Sequence, residues 1–448
     1  MDIEALINDP DLKAQISEVR TKIQQPEHAI SDVLDEKGNQ YVDLVMEGGG
    51  MLGIALVGYT WALEEMGIRF LGIGGTSAGS INALLLAAMN DPAEKKSPLL
   101  LEAMGNLDFY RFVDGDGTDK GRRNTRALIE LALDGEPIRF WKGLKLFKGY
   151  WSVRKHLIRK YGLNQGEAFR NWLTDLLATA DIRTTADLRS RMQRIPNLKI
   201  RAGRVMPAGW KPGPGELVII SSDITTETRV EFPDMAELYW KHVDNLNPAN
   251  YARASMSIPY FFETYRVTDL PDTPEIRQRW GKVGLDWKNE NGDKIPEHIL
   301  FVDGGITSNF PIDAFHDLSK VPSRPTFGVK LQYDNRYKPP SKLPLTGGSR
   351  TPLMSLTGAM FNSARHTLDY EFIKKNPDYQ NLVQFIPCTY MDPDSGQLKN
   401  YNWLDFKMSR EHREGLFRQG AQKAIEFVSE FSDKWDDYKA LRDKLKTG

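Results

Sequence analysis

One stretch, residues 70–89 with the sequence FLGIGGTSAGSINALLLAAM, limits what this chain can fold into more than any other. Its apolar start, residues 70–73, leads into a glycine-rich turn, and helix-forming residues follow directly at 81–89. This order predicts a strand, a sharp turn and a helix. The turn itself is therefore the first place to look for chemistry.

Three residues of the turn, Gly75, Ser77 and Gly79, match the G-x-S-x-G nucleophile elbow. In that motif the serine occupies a strained turn, and its small neighbours let the strand and the helix approach closely. Ser77 is the candidate nucleophile. The alternative is an ordinary strand-to-helix connection in which Ser77 or Ser80 caps the helix.

The residues before this stretch predict a strand and a crossover helix. Residues 41–46 are rich in β-branched and apolar side chains, which favours a strand. Residues 54–66 have a helix-forming composition, and Gly67 is placed to end that helix. A strand, a helix and a second strand form a βαβ unit, so we expect an α/β fold with parallel strands and a right-handed crossover.

The loop between the first strand and that helix, residues 47–53 with the sequence EGGGMLG, has two interpretations. Its glycines at 48, 50 and 53 fit the dinucleotide fingerprint, in which an acid at the end of the next strand holds the ribose. Here the next strand ends in the serine turn, and the nearest acids, Glu64 and Glu65, belong to the crossover helix. A ribose contact therefore has no candidate.

In the second interpretation the loop presents backbone N–H groups toward a developing negative charge. It lies at the same edge of the predicted sheet as Ser77, because both follow adjacent parallel strands. An oxyanion hole beside a nucleophile is the better account of the loop. The residues that would form it are Gly48, Gly49, Gly50 and Met51.

A second candidate group follows a short apolar run at residues 299–302. Asp303 comes directly after this run and is followed by Gly304 and Gly305. It occupies the carboxyl end of the predicted strand, where α/β enzymes place their chemistry. A carboxylate there could accept the proton of a serine. The alternative is a purely structural acid that begins a turn.

The composition excludes several other classes of protein. The net charge of -1 gives no overall attraction to nucleic acid, and the single cysteine, Cys388, excludes an internal disulfide framework and a cysteine metal cluster. No apolar run approaches the roughly 20 residues of a membrane-spanning helix. Residues 1–13 are acidic and do not resemble a signal peptide. We expect a cytoplasmic protein with no metal and no cofactor, and the sequence leaves its oligomeric state open.

We expect three regions along the chain. They are an N-terminal extension at 1–40, a main domain at 41–430 with an insertion at about 91–215, and a C-terminal tail at 431–448. Within the insertion, the segment from Trp141 to Lys160 mixes basic and aromatic residues and contains no acid. Such a segment suits a membrane surface. An ordinary surface insertion is the alternative.

Taken in order, the glycine loop, the serine turn and the triplet from Asp303 to Gly305 resemble the patatin-like phospholipases. The resemblance extends from about residue 41 to about residue 428. It implies a three-layer α/β/α fold with a mostly parallel central sheet and a largely helical insertion. Further matches to the family lie at residues 222–226, 254–262, 309–311 and 403–406.

The resemblance also implies a reaction and a role for each motif. Ser77 would be the nucleophile of a Ser–Asp dyad, Asp303 its base, and the loop from Gly48 to Met51 the oxyanion hole. The implied activity is hydrolysis of fatty-acyl esters of phospholipids or related lipids, without calcium. The glycines that would support these motifs are Gly53, Gly75, Gly79, Gly304 and Gly305.

Two other functions remain open. A Ser-His-Asp esterase would have the order Ser77, Asp303 and then one of three histidines, His316, His366 or His412. A non-enzymatic dinucleotide-binding module would instead use the glycine loop at 48–53.

Overall fold

The computed structural model describes residues 1–134, 157–204, 213–285, 287, 295–317, 319–331 and 374–446. Most of the basic and aromatic segment of the insertion, residues 141–156, lies outside the described residues, and so does His366.

The helices among the described residues are α1 (Ile3–Ile7), α2 (Pro10–Gln24), α3 (Gly53–Glu65), α4 (Ala78–Ala88), α5 (Ser97–Gly105), α6 (Asp119–Asp134), α7 (Glu167–Thr179), α8 (Thr185–Met192), α9 (Ala249–Ser255), α10 (Pro274–Lys282), α11 (Arg410–Phe431) and α12 (Trp435–Lys446). The strands are β1 (Val33–Leu34), β2 (Gln40–Met46), β3 (Ile68–Thr76), β4 (Gly162–Asn164), β5 (Lys199–Ile200), β6 (Glu216–Asp223), β7 (Thr228–Phe232), β8 (Tyr260–Phe262), β9 (Tyr265–Thr268), β10 (His298–Asp303), β11 (Thr326–Leu331), β12 (Val383–Ile386), β13 (Thr389–Met391) and β14 (Leu398–Asn400).

Ten of these strands form one mixed sheet within the described part of the chain. Its main order is β12-β11-β2-β3-β6-β10-β9, with β1, β5 and β7 paired off this path. The five strands from β12 to β6 run parallel, whereas β7, β9 and β10 run antiparallel to their neighbours. Helices pack against this sheet, for example α4 against β3 and α11 against β12. The predicted α/β/α fold with a mostly parallel central sheet is confirmed.

The βαβ unit at the centre of the sheet consists of β2, α3 and β3. Both strands are buried along their whole length, as expected for central strands covered on two faces. Helix α3 is also buried over almost its whole length. This unit carries the glycine loop and the serine turn, so a buried part of the fold positions the candidate site.

Both ends of the chain pack on the main domain. Helix α2 lies along α11, where Gln422 Nε2 donates to Gln15 Oε1 at 3.0 Å. At the other end, the indole of Trp435 in α12 is buried and donates to Asp32 at 3.0 Å. Residues 431–446 therefore include a packed helix. Among the described residues, no helix combines the length and the apolar character that crossing a membrane requires.

Candidate active site

Ser77 lies at the junction between β3 and α4. Its φ of +52° is in the region that side-chain-bearing residues rarely adopt. The turn is tight because Gly75 lies against the carbonyl of Gly79, and Gly79 lies against the carbonyl of Met46 in β2. A Cβ atom at either glycine would overlap these backbone atoms. The G-x-S-x-G pattern is thus explained by two close approaches and one strained serine.

The surroundings of Ser77 come from the end of α9. The side chain is 4% exposed, and its backbone N–H donates to Ser255 Oγ at 2.9 Å. Its hydroxyl donates to Met256 Sδ at 3.4 Å. One residue further on, the carbonyl of Ser257 accepts the backbone N–H of Asp303 at 2.9 Å. Three consecutive residues of this helix end therefore contact Ser77 and Asp303.

Arg253, one turn earlier in α9, holds that helix end in place. Its guanidinium is buried and donates to Ser257 Oγ at 2.7 Å and to the carbonyl of Gln165 at 2.6 Å. Burial lowers the pKa of this guanidinium from its ordinary value. Because Gln165 lies within the predicted insertion, Arg253 connects that region to the segment that touches Ser77.

The glycine loop follows β2 and lies directly beside the serine. A Cβ atom at Gly48 would be 2.9 Å from the Cβ of Ser77. Two of the four predicted N–H donors are already engaged, since Gly48 donates to Asn309 O at 3.1 Å and Met51 to Trp403 O at 2.9 Å. The backbone hydrogen bonds of the described residues include none from Gly49 or Gly50. Those two N–H groups are thus the ones left for a ligand.

Gly50 is the position where the loop most needs glycine. Its φ is +53°, and a Cβ atom there would overlap the carbonyl oxygen of Trp403. The same carbonyl accepts the N–H of Met51. The C-terminal stretch at 403–406 therefore closes over the loop and fixes its backbone.

A buried polar cluster that the sequence did not point to lies beneath the loop. The carboxylate of Glu47 accepts from Lys330 Nζ at 3.0 Å, from the backbone N–H of Leu331 at 2.6 Å and from Asn309 Nδ2 at 3.1 Å. Asn309 Nδ2 also donates to the carbonyl of Gly48 at 3.2 Å. One signal was available, because Lys330 is a charge within an apolar strand and such a charge needs a buried partner.

Asp303 ends β10, but the direction of this strand differs from the one the sequence reasoning assumed. Strand β10 runs antiparallel to β6, so the rule for the carboxyl ends of parallel strands does not by itself place Asp303. The register still brings Asp303 level with the serine turn, because Asp303 pairs with Ser221 while Thr76 pairs with the preceding residue, Ile220. Asp303 thus lies two strands from Ser77 at the same height in the sheet.

The backbone after Asp303 turns sharply and stays close to the serine turn. Asp303 Oδ1 accepts the N–H of Gly305 at 2.8 Å, which begins a short helical turn. A Cβ atom at Gly304 would overlap the carbonyl of Ile220 and would lie 3.0 Å from Thr76 Cγ2. The carbonyl of Asp303 accepts from Ser222 Oγ at 3.0 Å. Asp303 is buried and held from several sides.

An apolar cavity opens beside the serine turn and the glycine loop. The surface that lines this cavity is almost entirely apolar. Gly50, Ala78 and Met256 form the wall nearest the candidate catalytic groups. Aromatic side chains, most of them from the predicted insertion, form much of the rest of the wall: Phe109, Phe112, Phe169, Trp172, Phe262 and Phe406.

The two described candidate histidines have neighbours away from the serine. His316 contacts Tyr379 and Arg442, and His412 packs on the rings of Tyr390 and Tyr401. In the described part of the chain, Ser77 donates its N–H to Ser255 and its hydroxyl to Met256 rather than to either histidine.

The acids that a dinucleotide site would require also have other partners. The carboxylate of Glu64 is buried and accepts the backbone N–H groups of Lys96 and Ser97 at 2.9 and 2.8 Å. The carboxylate of Glu65 pairs with Lys95 at 2.7 Å. Both acids thus stabilise the connection to α5, and neither lies at the end of β3.

Comparison with known proteins gives the family. The model of the patatin-like phospholipases matches residues 44–316, more than half of the chain. YqhO, an uncharacterised protein of Bacillus subtilis (strain 168), is 26% identical over 392 residues, which cover 88% of this chain and 99% of that protein. The crystal structure of VipD from Legionella pneumophila aligns with a TM-score of 0.37 and 14% identity over 90% of this chain and 70% of that one. The extent of the family match shows that the chain belongs to the patatin-like phospholipase family.

Proposed function

We propose that this protein is a serine acyl hydrolase that cleaves fatty-acyl esters of phospholipids or related lipids. Membership of the family supports hydrolysis of lipid acyl groups in general. The observation that carries the finer proposal is the strained backbone of Ser77 beside a glycine loop with two uncommitted N–H groups. Strain of this kind costs on the order of 1–3 kcal/mol and tends to persist at functional sites.

In the first half of the proposed reaction, Ser77 Oγ attacks the carbonyl carbon of the ester. Its proton passes to the carboxylate of Asp303 as the new C–O bond forms. The carbonyl oxygen becomes an oxyanion that accepts hydrogen bonds from Gly49 and Gly50. When the tetrahedral intermediate collapses, the bond to the alcohol breaks, and Asp303 returns the proton to the leaving oxygen.

In the second half, water hydrolyses the acyl-enzyme. Asp303 accepts a proton from the water as its oxygen attacks the acyl carbon, and the same two N–H groups hold the oxyanion. Collapse of this intermediate releases the fatty acid and returns the proton to Ser77. Because a carboxylate is a weak base for a serine hydroxyl, the oxyanion hole has to supply much of the rate.

The apolar cavity supports an acyl chain as the group that is transferred. A fatty-acyl chain requires an apolar wall next to the nucleophile, and the cavity provides one lined by aromatic and aliphatic side chains. We propose that calcium has no part in this reaction, because the dyad and the loop supply the nucleophile, the base and the oxyanion donors. Unchanged hydrolysis in the presence of a chelator such as EDTA is the result expected.

We also propose contact with a membrane surface through the basic and aromatic segment of the insertion. Its described end supports this: Ile158, Arg159 and Lys160 are exposed, and Tyr161 follows them with 55% of its surface exposed. An exposed isoleucine and an exposed tyrosine next to two cationic side chains are suited to the headgroup layer of an anionic membrane. Sedimentation with anionic and with neutral vesicles would test the contact.

The experiment that tests the function is incubation of the protein with vesicles of mixed phospholipids, followed by mass spectrometry of the products. The proposal expects free fatty acids and the matching lysolipids from the wild type and neither from Ser77→Ala. Saturable binding of NAD without any release of fatty acid would instead favour the dinucleotide-binding alternative. Loss of activity in a folded His316, His366 or His412 variant would favour the Ser-His-Asp alternative.

A further inference from the structure

Met256 lies between the candidate nucleophile and the apolar cavity. Its thioether accepts the hydrogen bond from Ser77 Oγ at 3.4 Å, and its side chain is only 6% exposed. Met256 belongs to the wall of the cavity, whereas Ser77 is not among the described residues that line it. Met256 is therefore a wall residue of the cavity that is in direct contact with Ser77.

The hydrogen bond between Ser77 and Met256 is easily given up. A thioether sulfur is a weak acceptor, so the serine proton loses little when it turns toward another acceptor. The methionine side chain is unbranched and has three rotatable bonds, which lets it move within a packed environment. Met256 can therefore leave this position without disruption of the surrounding fold.

The backbone on both sides of Met256 is held much more firmly than its side chain. Ser255 Oγ accepts the N–H of Ser77, and the carbonyl of Ser257 accepts the N–H of Asp303. The buried Arg253 donates to Ser257 Oγ at 2.7 Å. Within this segment, the Met256 side chain is thus the part that is free to move.

We propose that Met256 determines which acyl groups the site accepts, an inference that rests on the proposed acyl hydrolase function. In an acyl-enzyme the carbonyl carbon is bonded to Ser77 Oγ, so the next carbons of the acyl group lie within a few bond lengths of that oxygen. Met256 Sδ occupies this space. A linear acyl chain displaces the Met256 side chain and continues into the cavity. An acyl group that is branched at the carbon next to the carbonyl collides with that side chain.

The test compares two esters with the same number of carbons, p-nitrophenyl butanoate and p-nitrophenyl 2-methylpropanoate, which differ in branching next to the carbonyl. The measured quantity is the ratio of kcat/KM for the branched ester to kcat/KM for the linear one. Met256→Ala removes the obstruction, so we expect this ratio to rise about 10-fold or more, the usual effect of one methyl-sized group in a pocket. Met256→Leu keeps the volume without the sulfur and should leave the ratio within about 3-fold of the wild type.

Two results would overturn the role of Met256. One is an unchanged ratio in a Met256→Ala protein that melts like the wild type, and the other is an equal rise in Met256→Leu. Ser77→Ala serves as the reference in the same assay. If that variant hydrolyses both esters like the wild type, the proposed function fails and this inference fails with it. If it is inactive while the Met256→Ala ratio is unchanged, only the selection by Met256 is overturned.

Discussion

The two halves of the candidate site are built in different ways. The nucleophile half, from Met46 to Gly79, is one βαβ unit in which backbone packs on backbone and glycines are required. The base half brings together three distant pieces of chain, the end of β6, the end of α9 and Asp303, through side-chain hydrogen bonds such as Ser222 to the carbonyl of Asp303. One half therefore depends on close backbone contact, and the other on polar side chains.

This difference teaches which changes each half should tolerate. A Cβ atom in the nucleophile half overlaps main-chain atoms that cannot move aside, so small changes should have large effects. In the base half a lost hydrogen bond leaves the strand pairing intact. Variants of the two halves should therefore differ in whether they affect catalysis, the free energy of unfolding or the position of the loop.

Removal of either member of the proposed dyad should have the largest effect. We expect Ser77→Ala and Asp303→Asn each to lower kcat by at least about 10⁴-fold, and the double variant to be little worse, because groups that act as a unit lose their effect together. Esterase assays on the three proteins, with circular dichroism to confirm folding, provide the measurement. If the decrease in kcat of the double variant equals the product of the two single decreases, Ser77 and Asp303 do not act as a unit.

The ion pair beneath the glycine loop should dominate stability. Lys330→Met removes the cation of a buried pair with Glu47, and breaking one side of such a pair costs about 3–5 kcal/mol in the free energy of unfolding. Chemical denaturation provides the measurement. The matched control is Lys37→Met, since the pair of Lys37 with Glu94 is exposed and such pairs contribute about 0–1 kcal/mol. Equal decreases in the free energy of unfolding for Lys330→Met and Lys37→Met would contradict a special stabilising role of the buried cluster.

Substitution in the glycine loop should affect turnover more than folding. Gly50→Ala places a Cβ atom against the carbonyl of Trp403, which shifts the loop and misaligns an oxyanion donor. One such donor is worth about 3 kcal/mol, or roughly 10²-fold in kcat. Gly38→Ala is the matched control, because Gly38 also has a positive φ but no atom within 4 Å of its Cβ position. A similar fall in kcat for both variants would assign the effect to backbone strain in general.

The smallest effect is expected for His316→Gln. Hydrolysis at pH 8 should be nearly unchanged, because His316 contacts Tyr379 and Arg442. Burial and the charge of Arg442 lower the pKa of His316 below its ordinary value of 6.5. The unfolded chain therefore binds a proton just below pH 6.5 that the folded chain does not, so the free energy of unfolding decreases as the pH falls through this range. The variant should lose that part of the pH dependence in denaturation curves. Abolished hydrolysis in the folded variant would favour the Ser-His-Asp alternative.

The sequence predicted the nucleophile half better than the base half, for a physical reason. A turn such as the one from Gly75 to Gly79 is specified by neighbouring residues, so its motif, its flanking strand and its helix are visible locally. The antiparallel direction of β10 depends on pairing with β6, which lies about 80 residues earlier in the sequence. Periodicity carries no information on that pairing.

For the same reason, the sequence could not predict contacts made by residues that belong to no recognised motif. Ser255, Met256 and Ser257 follow one another at the end of a small-residue helix, and only the tertiary structure brings them to Ser77 and Asp303. The prediction of four N–H donors in the glycine loop requires all four N–H groups to point toward the oxyanion. Gly48 and Met51 instead bond to carbonyls supplied by segments more than 200 residues away.

Covalent labelling of the serine tests the central claim most directly. A fluorophosphonate reacts with a serine only where the hydroxyl is activated and an oxyanion can be held, so it reports on the nucleophile and the loop together. After digestion, mass spectrometry should find the adduct on the peptide that contains Ser77 in the wild type and no adduct in Ser77→Ala. An adduct on a different serine, together with hydrolysis retained by Ser77→Ala, would contradict the account.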